Sequence, residues 1–134
     1  RLRVHPSISA AAARAAEGGP PMSTSFAFHD APRAAIEEYE RAAATTPPAA
    51  TRADWLACDR FDRLGDPAAL ARLATPALVL DGAADPLTPP KYHERLAGAL
   101  GRAQLVIVPG RGHMLPWEAP PRLAREVRAW AAAR

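Results

Sequence analysis

The sequence predicts an α/β fold of two parallel strands with crossover helices, preceded by a helical region. Two short apolar runs, Ala77-Leu78-Val79-Leu80 and Leu105-Val106-Ile107-Val108, lie between breakers and fit strands buried on both faces of a parallel sheet. One amphipathic helical pattern separates them and another follows the second run. Strand, loop, helix, strand, loop, helix is a βαβα unit, whose two strands should lie parallel, joined by a right-handed crossover.

Taken in order, residues 1–50 are alanine-rich and nowhere alternate like a strand. A helix is expected over about Ser7 to Ala16, ending at Gly18-Gly19-Pro20-Pro21. Pro32 suits the first turn of a second helix running towards Ala44, with Asp30 as a candidate cap. Ile36, Tyr39 and Ala43 share its weakly apolar face, and Thr45-Thr46-Pro47-Pro48 stops it. A third helix is expected from about Arg52 to Leu64, closed by Gly65. Trp55, Cys58 and Phe61 share a face there. Asp66-Pro67 reads as a cap and first-turn pair for a short helix through Leu70 and Leu73.

Pro76 disfavours helix at Thr75 and opens the first strand, which Asp81-Gly82 ends. The crossover helix turns Tyr92, Leu96, Ala97 and Leu100 inward, leaves His93 on its exposed side, and takes Gly101 as its C-cap. The second strand stops at Pro109-Gly110. The last helix starts near Pro120, with Leu123, Val127, Trp130 and Ala131 facing inward.

Composition narrows the function. A chain of 134 residues is one small domain or part of one, and its 49% apolar content is largely alanine, so the heavier side chains must carry the core. Seventeen basic against 14 acidic residues leave +3, scattered without a basic stripe, so no nucleic-acid partner is expected. Cys58 is the only cysteine, which excludes an internal disulfide and a multi-cysteine metal site. His5, His29 and His93 show no ligand spacing, so no metal is expected, and no other cofactor. No apolar run approaches the ~20 residues of a membrane span, and Arg1-Leu2-Arg3-Val4-His5-Pro6 is not signal-like, so the expected location is cytoplasmic. The oligomeric state stays open.

Ligands of open parallel sheets bind beyond the carboxyl ends of the strands. Asp85 lies just past the first strand and His113 just past the second, 28 residues apart. Parallel strands bring both loops to the same edge. An aspartate accepting from one imidazole nitrogen would fix the tautomer and leave the other nitrogen as a general base. The plainer alternatives are a turn aspartate before Pro86 and a structural loop histidine. Asp81 is the rival acid, though its place at the strand end suits a turn cap. Cys58, mid-helix beside Trp55, reads as packing rather than as a nucleophile. Met114, Leu115 and Trp117 either line an acyl or alkyl pocket or pack the core. Glu118 reads as a cap or salt link for the last helix.

Two segments carry a family resemblance. Leu78-Val79-Leu80-Asp81-Gly82-Ala83-Ala84-Asp85-Pro86-Leu87-Thr88-Pro89 resembles the acid-bearing loop of α/β-hydrolases. Val108-Pro109-Gly110-Arg111-Gly112-His113-Met114, with Glu118 and Pro120, resembles their histidine loop. Asp54-Trp55-Leu56-Ala57-Cys58-Asp59-Arg60-Phe61-Asp62 resembles the helix that returns from cap to sheet. The resemblance implies the C-terminal portion of an α/β-hydrolase, with a partial helical cap at 1–50 and part of the core at 51–134.

The family orders its triad nucleophile, acid, histidine, with a serine nucleophile on a G-x-S-x-G elbow. Ser7, Ser9, Ser23 and Ser25 lack that setting, so the nucleophile (Ser, Asp or Cys) is expected outside this sequence, in a longer natural chain. The resemblance then implies a hydrolase of ester, amide or related bonds acting on a small-molecule substrate, with Asp85 and His113 catalytic. The 134-residue piece alone should be inert, and marginally stable or associating. The alternatives are a non-catalytic hydrolase-like protein that binds a ligand or partner, and an unrelated two-strand binding piece.

Overall fold

In the computed structural model, residues 6–19, 25–60 and 66–134 are described. The chain forms two compact units, one of Arg1–Thr24 with Glu37–Gly65 and one of Ser25–Ile36 with Asp66–Arg134.

The first unit is helical where described. Helix α1 spans Pro6–Ala16 and packs on α3, Pro48–Arg60, and its Ala12 and Ala15 are buried. The helix Arg33–Ala43 stops before Thr45-Thr46-Pro47-Pro48 as expected, but α3 starts at Pro48 rather than near Arg52, because proline suits a first turn whose amide needs no partner. Cys58 lies on the exposed side of α3, contrary to a packing role, while Trp55 and Leu56 are half-buried. His5, Pro20, Pro21, Ser23, Phe61, Leu64 and Gly65 lie outside the described residues. Helix α2, Arg33–Ala43, half-buries Ile36, Tyr39 and Ala43, its expected face.

The second unit holds the sheet. Asp66 caps α4, Pro67–Ala71, by accepting the Ala69 amide on Oδ1 at 2.9 Å. Strand β1, Ala77–Gly82, pairs in parallel with β2, Ala103–Val108, across the helix α5, Pro90–Ala99. The register runs from Ala77↔Ala103 to Gly82↔Val108, so the two strands finish level. The strands are less enclosed than unbroken apolar runs imply. Val79 and Val108 are buried, whereas Leu78, Leu80, Leu105, Val106 and Ile107 are only half-buried. Helix α5 covers the face of Val79 and Asp81, where its His93 meets Asp81, and side chains at alternate positions point the other way.

Strand β1 runs two residues further than the apolar pattern, through Asp81 and Gly82. Gly101 is no left-handed cap: α5 ends at Leu100 in extended backbone, and Gly18 and Gly110 are the positive-φ glycines among the described residues. After β2 the chain forms α6, Leu115–Glu118, and α7, Pro120–Ala132. On α7, Leu123 and Trp130 are half-buried, but Val127 and Ala131 are exposed, since so small a sheet cannot cover the whole stripe. Among the described residues no helix is long and apolar enough to cross a membrane.

Candidate active site

Because β1 and β2 end level and parallel, their following loops leave the same edge of the sheet. The first loop is laced to the second by backbone. Ala83 N–H donates to the Val108 carbonyl and Ala84 N–H to the Arg111 carbonyl, both at 2.9 Å. Gly82 lets the loops close this tightly. A Cβ there would fall 2.2 Å from the carbonyl oxygens of Arg111 and Gly112, too close for any side chain. Gly110 turns the second loop in the left-handed region, φ +64°, where a Cβ is disfavoured.

These loops bring Asp85 and His113 together. His113 Nδ1 lies 2.8 Å from Asp85 Oδ2. Asp85 is 5% exposed, and Oδ1 accepts the amides of Leu87 at 2.7 Å and Thr88 at 2.9 Å. Thr88 Oγ1 donates to Oδ2 at 2.8 Å. Burial alone would raise the Asp85 carboxyl. The Thr88 amide, His113, the Thr88 hydroxyl and the Leu87 amide outweigh it and hold Asp85 below the usual carboxylate value.

An ionised Asp85 accepts, so the proton between the pair sits on His113 Nδ1 and Nε2 is left without one in the neutral ring. Thr88 Oγ1 stands 3.2 Å from Nδ1, but its hydrogen goes to Asp85, so this is a packing contact between two donors. The His113 side chain is 37% exposed against 2% for that of Asp85. A buried acid orienting a solvent-reachable imidazole can serve as a general base and then, as imidazolium, as a general acid.

Sequence reasoning missed what holds the histidine loop. Glu118, at the end of α6, is 6% exposed and forms no salt link with α7. Its Oε2 accepts the Gly112 amide at 2.7 Å and the Asp30 amide at 3.4 Å, and Oε1 accepts the His29 amide at 3.3 Å. His113 N–H donates to the Ala27 carbonyl at 3.1 Å. Segment 25–30 thus clasps the histidine loop, and Arg111 fastens it through the Asp30 carbonyl at 2.6 Å and carboxylate at 3.1 Å. Asp30, a candidate helix cap, spends its carboxylate on Arg111 instead.

Of the three candidate pocket residues, Leu115 is buried at the start of α6, and Met114 and Trp117 are half-buried beside it. Asp81 and His93 also depart from expectation. Asp81 Oδ1 accepts the Gly82 amide at 2.7 Å, as a turn cap would, but Oδ2 faces His93 Nδ1 at 3.0 Å. Burial raises the Asp81 carboxyl most, His93 opposes this, and Asp85 adds to it, leaving it at about 6. Among the described residues, no three His, Cys, Asp or Glu side chains gather as a metal site.

The chain itself has counterparts among known proteins. The family of TAP-like proteins matches residues 46–121. A thermophilic esterase of solved structure is 29% identical, with a TM-score of 0.79 over 99% of this chain and 52% of its own. A thermophilic esterase from Thermogutta terrifontis, with malate bound, is 25% identical, with a TM-score of 0.73 over 98% of this chain and 52% of its own. The 2-hydroxy-6-oxo-6-phenylhexa-2,4-dienoate hydrolase of a Rhodococcus strain shares the fold at 20% identity, with a TM-score of 0.66 over 95% of this chain and 50% of its own. No curated protein matches. The chain therefore spans about half the length of the structures it resembles.

Proposed function

This chain belongs to the TAP-like family of α/β-hydrolases, and we propose that the intact protein hydrolyses ester or related bonds of small molecules. The reading rests on the Asp85 Oδ2 to His113 Nδ1 hydrogen bond of 2.8 Å at the carboxyl edge of two parallel strands. In it, Nε2 of His113 takes the proton from a nucleophile supplied by residues outside this sequence. Asp85 stabilises the resulting imidazolium, which then protonates the leaving group. Serine is the expected nucleophile. An aspartate would direct the site to dehalogenation or epoxide opening.

Met114, Leu115 and Trp117 supply an apolar wall next to the base, suited to an acyl or alkyl group. The helices within residues 1–50 belong, in this reading, to a partial helical cap, and 51–134 to part of the hydrolase core.

The test is hydrolysis of an activated ester by the intact protein and by its His113→Ala variant. The variant should lose nearly all turnover, a drop of about 10³-fold or more. Turnover equal to the parent's would end the assignment.

A further inference from the structure

Asp81 takes no part in the chemistry above, yet it is buried, at 3% exposure. It stands in β1 opposite Ile107 of β2, which brings no charge. The titratable groups facing it are His93 from α5 and Asp85 from the loop that follows. Asp81 Oδ2 and His93 Nδ1 are both closed off from solvent, 3.0 Å apart, and neither is aligned for a hydrogen bond with any partner. An apolar pair would fill the same space without the cost of burying two polar groups, so simple packing does not account for them.

We propose that Asp81 and His93 form a positioning pair for the Asp85–His113 couple, in which the charge on Asp81 adjusts how tightly Asp85 holds the Nδ1 proton of His113. The inference rests on the reading of His113 as the base. While Asp81 keeps its proton, Asp85 is the one anion of the cluster. When Asp81 gives that proton up to solvent, a second negative charge joins that of Asp85. The imidazolium of His113 is then better stabilised, and the base is stronger. The position of Asp81 at about 6 puts this change between mildly acidic and neutral pH.

The experiment is an NMR titration of the intact protein, following the Asp81 carboxyl carbon and the ring signals of His93 and His113. In Asp81→Asn, the midpoint of the His113 ring signals should move to lower pH by about one unit. In His93→Gln, the Asp81 midpoint should move up by about the same amount. A His113 midpoint identical in parent and Asp81→Asn overturns the proposal. Should Asp81→Asn not fold, an Asp81 carboxyl titration unchanged in His93→Gln overturns it. Ester hydrolysis by His113→Ala separates the two readings: coupled titrations in a protein that stays active without His113 refute the base assignment alone.

Discussion

The carboxylate of Glu118 accepts the Gly112 amide at 2.7 Å, reaching back over the histidine it follows to fix the residue just before it. Together with the His29 and Asp30 amides, that bond converts a loop into a fixed mount for the imidazole. Glu118→Ala strands a buried amide and should lower stability by about 1–3 kcal/mol, with a fall in kcat larger than any change in KM. Denaturant unfolding with ester kinetics on the intact protein measures both. Glu118→Gln keeps one acceptor and should fall between Ala and parent.

Gly82 and Gly110 should respond very differently to alanine. At Gly82 the added Cβ meets backbone oxygens at 2.2 Å, so the two loops must separate. The expected result is a loss of several kcal/mol, on the scale of severe overpacking, or failure to fold. At Gly110 nothing lies within 4 Å, and only the φ of +64° is penalised. About 1–2 kcal/mol is expected there. Thermal melts of the two variants check the ranking.

Thr88→Val removes the hydroxyl that donates to Asp85 Oδ2 while keeping the side chain's shape. Asp85 keeps its two amides and His113, so the couple survives with a weaker anion. Activity should fall by about tenfold, with the Asp85 carboxyl titrating closer to its ordinary value. A variant as active as the parent would show that the hydroxyl contributes nothing.

Asp81 makes stability depend on pH. Its carboxyl is raised in the folded state, so the folded chain binds the proton more tightly than the unfolded one. That contribution is fully present below the unfolded value near 3.8 and is lost as pH rises through about 6. Asp81→Asn, which cannot ionise, should therefore match the parent near pH 4 and exceed it above pH 7, by about 3 kcal/mol at most. Asp85 has the opposite sign: its lowered carboxyl stabilises the fold above the ordinary carboxylate value and ceases to do so as pH falls below it. Unfolding curves at pH 4, 6 and 8 separate the two.

Much of this was legible in the residues because local physics decided it. Short apolar runs between prolines and glycines mark β1 and β2, Asp66-Pro67 marks a capped helix, and two polar loops after parallel strands locate Asp85 and His113. What escaped depends on partners remote in the chain. Glu118 meets His29 from 89 residues away, and nothing around either residue announces it. His93 looks like a surface residue until α5 is laid across β1. Asp81 reads as a strand end because a charge interrupts the apolar run, yet a carboxyl that can stay neutral is tolerated inside. The early start of α3 escapes because proline both ends helices and begins them, and Pro48 reads only as part of the stop after α2.

The level finish of the two strands carries one last consequence, for how the gene can change. A single residue inserted or deleted between Ala77 and Asp85 slides that loop about 3.3 Å along its neighbour, further than a 2.8 Å hydrogen bond can stretch, and turns alternate side chains to the opposite face. A residue added between Leu100 and Gly101 lies outside the paired residues Ala103–Val108 and leaves their register untouched. Length variation among descendants of this gene should therefore gather there and avoid the stretch from Ala77 to Asp85.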